Sequence, residues 1–252
     1  LTHTDALFLL KNAQGRDLKN DSARTNKRNL NDSLIGTQYF RQVGDRIIDT
    51  DTIDSNFGYS VSMSDDGLTV AISGICTDPS TNTHFFRVKV FEEINDAWSP
   101  KGTKIDNNRT TEFFVDSRAH VSLSGDGTKL SVATVYVKDR GTTAESNAEG
   151  SVVVYEYGTH NDDWGLTSTE YTGDAGAGTD AIYNGLTASL DTNGSMIAIG
   201  MRYFDGADGG PSIENKGAVI VCNVGDSSSC KTVATGSAAN DYVGSSVMIS
   251  GN

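Results

Sequence analysis

Proline is scarce in this chain, with 3 in 252 residues, and cysteine is no commoner at 3. So few cysteines exclude a disulfide-dense mini-scaffold, and at this length a single apolar core is sufficient. No run of about 18 apolar residues occurs, which excludes a membrane-spanning helix. The opening LTHTDALFLL has neither the charged n-region nor the cleavage site of a signal peptide, so a secreted chain is expected to have lost its signal already. Positive charge is short as well: 20 Lys and Arg against 33 Asp and Glu leave a formal net charge of -13. Nucleic acid is thereby excluded as a partner, because phosphate binding needs clustered cations. The one basic stretch, Lys11 to Arg28, sets six cations among Asn and Ser and reads as a solvated loop. Helical periodicity is missing too, since nowhere do apolar residues recur at helical spacing beyond a turn or two.

What is present is glycine, 27 residues of it, with abundant Ser, Thr, Asn and Asp. That composition suits many short strands joined by tight turns. One pattern recurs: SVSMSDDGLTVAISG at 60–74, HVSLSGDGTKLSVAT at 120–134 and TASLDTNGSMIAIGM at 187–201, with SSVMISGN at 245–252 beginning a further copy. With Ser64, Ser124, Asp191 and Ser250 as equivalents, the intervals are 60, 67 and 59 residues. A period of this length signals stacked or radial supersecondary units.

Each unit repeats the same order of events. A short alternating strand meets an Asp-Gly or Asn-Gly turn, and a more apolar strand follows. A long polar loop then leads into a β-branched strand: FFRVKVFEE, GSVVVYEYG or GAVIVCNVG. A fourth strand begins after NDAW and NDDW, which places Trp98 and Trp164 in matching positions, expected to pack between units. Asp-Gly and Asn-Gly suit the positive φ angles of a two-residue hairpin turn. Four antiparallel strands in about 60 residues describe a propeller blade. The expected fold is therefore all-β, a β-propeller of four-stranded antiparallel blades that forms part of a larger one. Residues 1–48 would supply outer strands of a preceding blade and a basic loop. Blade 1 would span 49–110, blade 2 111–175 and blade 3 176–238, with 239–252 starting a fourth.

With NFGYSVSMSDDGLTVAISG, the loop before GAVIV and the period in hand, residues 40–252 resemble FG-GAP-type β-propeller repeats, the blades of integrin alpha chains and many surface proteins. Phe57, Gly58, Ser60 and Val61 carry the likeness most clearly, and Tyr242 to Ser250 repeats it. The resemblance implies about seven blades in the complete propeller and a place outside the cell. Many family blades hold calcium in a D-x-D-x-D-G-x-x-D loop. Here the matching turns, Ser64 to Val70, Ser124 to Gly127 and Asp191 to Gly194, offer one or two side-chain oxygens each, against the six to eight that calcium takes. The family's metal role is not carried over. Sialidase Asp boxes fail on spacing, and TolB-like or WD-type blades are too short.

Chemistry is sparse. His3, His84, His120 and His160 form no metal pattern, and no nucleophile elbow, phosphate loop or dinucleotide fingerprint occurs. Two acidic clusters are calcium candidates: Asp205, Asp208 and Glu214 in one long loop, and Asp49, Asp51 and Asp54 ahead of the first blade. No other cofactor is expected. Cys222 and Cys230 bracket a turn where a hairpin disulfide is reasonable. Sequons begin at Asn20, Asn31, Asn108 and Asn193 and favour an extracellular setting as glycosylation sites. Aromatic residues in the long loops are limited to Tyr136, Tyr203 and Phe204.

The expected role is a non-enzymatic, secreted or cell-surface module for structure or adhesion. Its contacts would come from the long loops at 74–84, 135–149 and 202–216, and its partner would be another protein, a second copy or a glycan. The alternative is a propeller-fold carbohydrate-active enzyme, a hydrolase or lyase, with an axial site assembled from several blades.

Overall fold

The computed structural model describes residues 10–12, 40–50, 56–78, 80, 83–106, 118–137, 148–172, 186–204, 213 and 215–251. Among these the chain is all-β, with antiparallel sheets and no helix. A two-stranded sheet pairs β1 (Leu10–Asn12) with β2 (Phe40–Gln42). Three four-stranded meanders follow. The first runs β3 (Ser60–Met63), β4 (Thr69–Asp78), β5 (Thr83–Ile94) and β6 (Ala97–Pro100), with short β7 (Ile105–Asp106) also pairing with β5. The second is β8 (Arg118–Leu123), β9 (Lys129–Val137), β10 (Ala148–His160) and β11 (Asp163–Thr172). The third is β12 (Leu186–Leu190), β13 (Met196–Met201), β14 (Ala218–Asn223) and β15 (Asp226–Thr235).

Alternation along the strands gives each sheet two apolar faces. On β4, Ala71 joins Val88 and Val90 against Val121, Leu123, Leu130 and Val132 of the second sheet. Val70 and Ile72 point the other way, to Ile47 and Phe57. On β9, Leu130 and Val132 serve the first interface, while Ala133 joins Val152 and Val154 against Ile197, Ile199 and Met201 of the third sheet. The sheets are thus stacked face to face, and the middle one is covered on both sides.

A repeated polar bond fixes how they stack. The Leu123 amide donates to Ser62 Oγ at 2.9 Å, the Leu190 amide to Ser122 Oγ at 3.1 Å, and the Ile249 amide to Ser189 Oγ at 3.2 Å. These are equivalent positions in successive copies of the repeat. A companion bond runs from the Val121 amide to Ser60 Oγ at 3.1 Å, so β3 and β8 run parallel across the interface. Residues 245–251 therefore lie on β12 as β12 lies on β8. Covering has a direct effect on exposure: Val121 and Leu123 are 7% and 5% exposed, whereas Val61 and Met63, their counterparts on the uncovered β3, are 38% and 37% exposed.

The tryptophans form a second clasp. Trp164 lies in the cluster between the first two sheets, and its indole N–H donates to Lys101 O at 2.7 Å. Trp98 donates to Val43 O at 3.0 Å in the same manner. The residue after each acceptor is a glycine in the left-handed region, Gly44 at φ 65° and Gly102 at φ 75°. A methyl group at Gly102 would stand 2.8 Å from Trp164 Cδ1, so only glycine fits. VGDRI at 43–47 and KGTKI at 101–105 are thus one motif, a tail that ends one unit by passing beneath the tryptophan of the next.

Two sequence expectations are corrected. The Asp-Gly turns are not two-residue hairpins: Ser64 and Thr69 close a four-residue loop through Ser64 N to Thr69 O at 2.9 Å, and only Gly67 has positive φ. Ser64 Oγ and the Asp66 carboxylate bond to each other at 2.6 Å and to the Thr69 and Leu68 amides, which makes a type I turn ending in a left-handed glycine self-sufficient. The two-residue turns with paired positive φ are instead Asn95-Asp96 and Asn161-Asp162, where short polar side chains tolerate that conformation. Secondly, the expected loop at 74–84 is mostly strand, because β4 continues to Asp78 and β5 starts at Thr83. The ladder wins there since Ile75 and Cys76 still pair with Phe86 and Phe85.

Ser122→Ala removes an acceptor and strands the Leu190 amide between sheets, so it is expected to destabilise the fold by about 1–3 kcal/mol, read from the denaturant midpoint at unchanged slope. Asp163 accepts Thr103 Oγ1 at 2.6 Å and the Thr103 amide at 2.7 Å, and these bonds hold its carboxyl below the usual aspartate range. Its stabilising effect is complete above the ordinary aspartate value of about 3.9 and is lost as pH falls through the lower folded-state value. Asp163→Asn is accordingly expected to flatten the acid limb of a melting-temperature profile below about pH 4; an unchanged limb would contradict the role given to this tail contact.

Candidate functional site at the neck of the third long loop

Because equivalent strands run parallel, the ends of β4, β9 and β13 lie at one end of the stack. At the third of these ends, residues 201–204 and 215–217 form a neck. Phe204 N donates to Met201 O at 3.2 Å and Gly217 N to Phe204 O at 2.9 Å, which closes the base of the loop. Residues 236–245 then cross it: Gly236 N donates to Gly217 O, Tyr242 N to Asn215 O and Val243 N to Lys216 O, with a parallel bridge between Gly217 and Val243. Phe204 packs against the core between the second and third sheets, and Lys216 Nζ stands 5.5 Å above its ring.

Arg202 and Tyr203, both half-buried, lie beside this base. The Arg202 guanidinium lies 4.4 Å from the Tyr203 ring centroid and 5.5 Å from that of Tyr242, and the two rings meet edge to face at 5.8 Å. Asn240 Oδ1 accepts both the Tyr242 hydroxyl at 2.9 Å and the Asn215 amide at 3.1 Å. Asn215, Asn240 and Tyr242 all have positive φ, at 53°, 64° and 51°. The other four non-glycine residues of this kind among the described residues sit in the two-residue hairpin turns, so the strain that no hairpin explains is gathered here. Asp241, between Asn240 and Tyr242, accepts the Ser237 and Ala238 amides at 2.8 and 2.9 Å, which lowers its pKa, the Ala238 bond chiefly.

A second polar cluster is buried under the first sheet. Arg87 on β5 makes a two-pronged pair with Asp106 at 2.7 and 2.8 Å, and Lys89 pairs with Asp49 at 2.8 Å, with Arg87 Nη1 3.9 Å from the same carboxylate. The bond to Asp106 raises the Arg87 pKa further, against the opposing cost of burial. Two cations face two carboxylates here, each held in place, so the cluster ties the tails ending at Asp49 and Asp106 to β5 rather than offering an acid or base. Asp49, one member of an acidic calcium candidate, is thereby committed to Lys89. Its neighbours Asp51 and Asp54 lie outside the described residues, as do Asp205, Asp208 and Glu214.

No group of three or more His, Cys, Asp or Glu residues suited to a metal ion occurs among the described residues. Cys222 and Cys230 form a disulfide across the β14–β15 hairpin, and Cys76 is a buried thiol. Asn193 lies exposed in the third turn, its side-chain oxygen accepting the Ser195 amide at 3.0 Å, while Asn20, Asn31 and Asn108 lie outside the described residues. No helix among the described residues is long and apolar enough to cross a membrane. Of the loop aromatics, Phe204 is a core residue and Tyr203 a site residue. Arg202, Asn240 and Tyr242 were not legible as partners, because 40 residues of chain separate the two halves of the cage.

Comparison with known proteins gives little to place beside this geometry. No protein-family model matches the chain, and no curated protein matches it. Among solved structures, a chain from a study of two prolyl endopeptidases is similar over 79% of this chain and 26% of its own length, at 14% identity and a TM-score of 0.42.

Proposed function

We propose that the chain is a set of β-propeller blades of the FG-GAP type acting as a non-enzymatic interaction module outside the cell, for structure or adhesion. The observation that carries the reading is the serine tie repeated at Ser62, Ser122 and Ser189, which stacks successive sheets with the same orientation. Repetition of that kind brings the variable connections to one end of a rigid frame, where contact residues change without disturbing the core. The disulfide between Cys222 and Cys230 suits an oxidising compartment. Glycan, a protein partner or a second copy all fit such an end. The carboxylates of the described turns favour binding over catalysis: Asp66, Asp126 and Asp191 are each engaged with their own turn, which leaves them poor candidates for paired acid and base work.

The reading is tested with the full chain on an array of neutral and acidic glycans, with sedimentation velocity reporting self-association. Saturable binding or concentration-dependent association is expected. Replacing 205–212 with a Gly-Ser linker is expected to reduce it at an unchanged melting temperature, and polysaccharides incubated with the protein are expected to remain intact. New reducing or unsaturated chain ends that grow with protein concentration would overturn the non-enzymatic reading.

A further inference from the structure

We propose that Arg202, held by Tyr203 and Tyr242 beside Asn240, is a binding site for the carboxylate of a uronate sugar. The proposal rests on reading the loop end of the stack as the binding end, and it names the ligand class for one place on it.

In a chain of net charge -13, a cation is expected to find a carboxylate, and Arg87, Lys89, Lys101 and Lys104 all do. Among the described residues Arg202 has no carboxylate partner: its contacts are two tyrosine rings, and its Nε is buried without a hydrogen bond. The adjacent Asp241 is occupied by the Ser237 and Ala238 amides. A guanidinium stacked on aromatic rings loses little further freedom on binding, and its planar fork matches a carboxylate with two parallel bonds. Left-handed backbone at Asn240 and at Tyr242, a bulky residue that rarely adopts it, holds the second wall of the cage in place.

The remaining groups select among carboxylates. Asn240 Oδ1 already accepts two hydrogen bonds, from Asn215 and Tyr242, so the amide offers its N–H₂ side. The Tyr203 hydroxyl adds a group that donates or accepts. Among the described residues the site is rich in donors and poor in acceptors. A peptide strand would bring main-chain N–H groups for which few acceptors remain, whereas sugar hydroxyls accept as readily as they donate. The exposed parts of the tyrosine rings supply an apolar surface for the C–H edge of a pyranose.

The test titrates the full chain with trigalacturonate, with a neutral galactose trisaccharide and triglutamate as parallel arms, by calorimetry and by amide chemical shifts. Trigalacturonate is expected to bind saturably, more weakly at higher salt, with the neutral sugar bound at least tenfold more weakly. R202Q is expected to lower the affinity at least tenfold, and R202K to restore only part of it, since an ammonium lacks the fork. Should R202Q fold poorly by its melting temperature, Asn240→Asp provides the second variant. It sets an exposed carboxylate beside the cage and is expected to lower uronate affinity at least tenfold with the melting temperature unchanged or raised. Equal binding of uronate and neutral sugar, tighter binding of triglutamate, or undiminished binding by R202Q or Asn240→Asp would each overturn the assignment. If other glycans bind through this end while trigalacturonate does not, the uronate site falls and the module reading stands.

Discussion

A serine hydroxyl placed between two sheets decides how the units of this protein meet. Ser62, Ser122 and Ser189 each accept a main-chain N–H from the first strand of the following copy. The energy of stacking comes mainly from the apolar faces, where fully buried Ile, Leu and Val side chains contribute about 1.5–3 kcal/mol each. A net hydrogen bond contributes only about 0.5–1.5 kcal/mol. The serine tie therefore matters less for its strength than for its direction: apolar burial is non-directional, whereas an amide and a hydroxyl meet in one register. Small size is part of the selection, since a larger side chain at these positions would hold the strands apart.

The tails and turns follow from that spacing. Once the sheets are in register, the tail after β6 must pass beneath Trp164, and only a glycine in the left-handed region leaves room for the indole to reach Lys101 O. The same arrangement at Gly44 and Trp98 shows that residues 43–49 stand to the first sheet as 101–106 stand to the second. Charge is absorbed in the same way. Arg87 and Lys89 anchor the tail ends Asp106 and Asp49, Asp163 caps Thr103, and the turn carboxylates close their own loops. An acidic composition that suggests ion binding is largely spent on architecture. At the neck of the third loop, among the described residues, Arg202 and Lys216 have aromatic rings for neighbours instead of carboxylates.

Several features were legible in the sequence because they depend on neighbours in the chain. The strand–turn–strand copies at 60–74, 120–134 and 187–201 follow from alternation and turn residues, and the Cys222–Cys230 hairpin from a separation of eight residues. Misreadings arose where local and tertiary demands differ. Asp-Gly suggested a two-residue turn, yet Ser64 and Asp66 side chains stabilise a wider loop, and the two-residue turns fell to Asn-Asp pairs. The polar run after Gly74 suggested a loop, yet pairing with β5 carried the strand on to Asp78. The VGDRI and KGTKI tails are not legible as a motif in the sequence, because their shared residue types have meaning only under a tryptophan in another unit.

Of the candidate site, the sequence singled out Tyr203 and Phe204 as aromatic residues near a loop, and could go no further. Which of them packs inward is decided by the neck hydrogen bonds, and Arg202 acquires its cage only when residues 236–245 cross from beyond β15. The sequence by itself determined an all-β chain of repeated four-stranded units, because strand period and turn chemistry act over a few residues. Only the tertiary structure decided which serines tie sheets, which acids are already paired and how Arg202 is caged, since those outcomes depend on groups brought together from 40 to 70 residues apart.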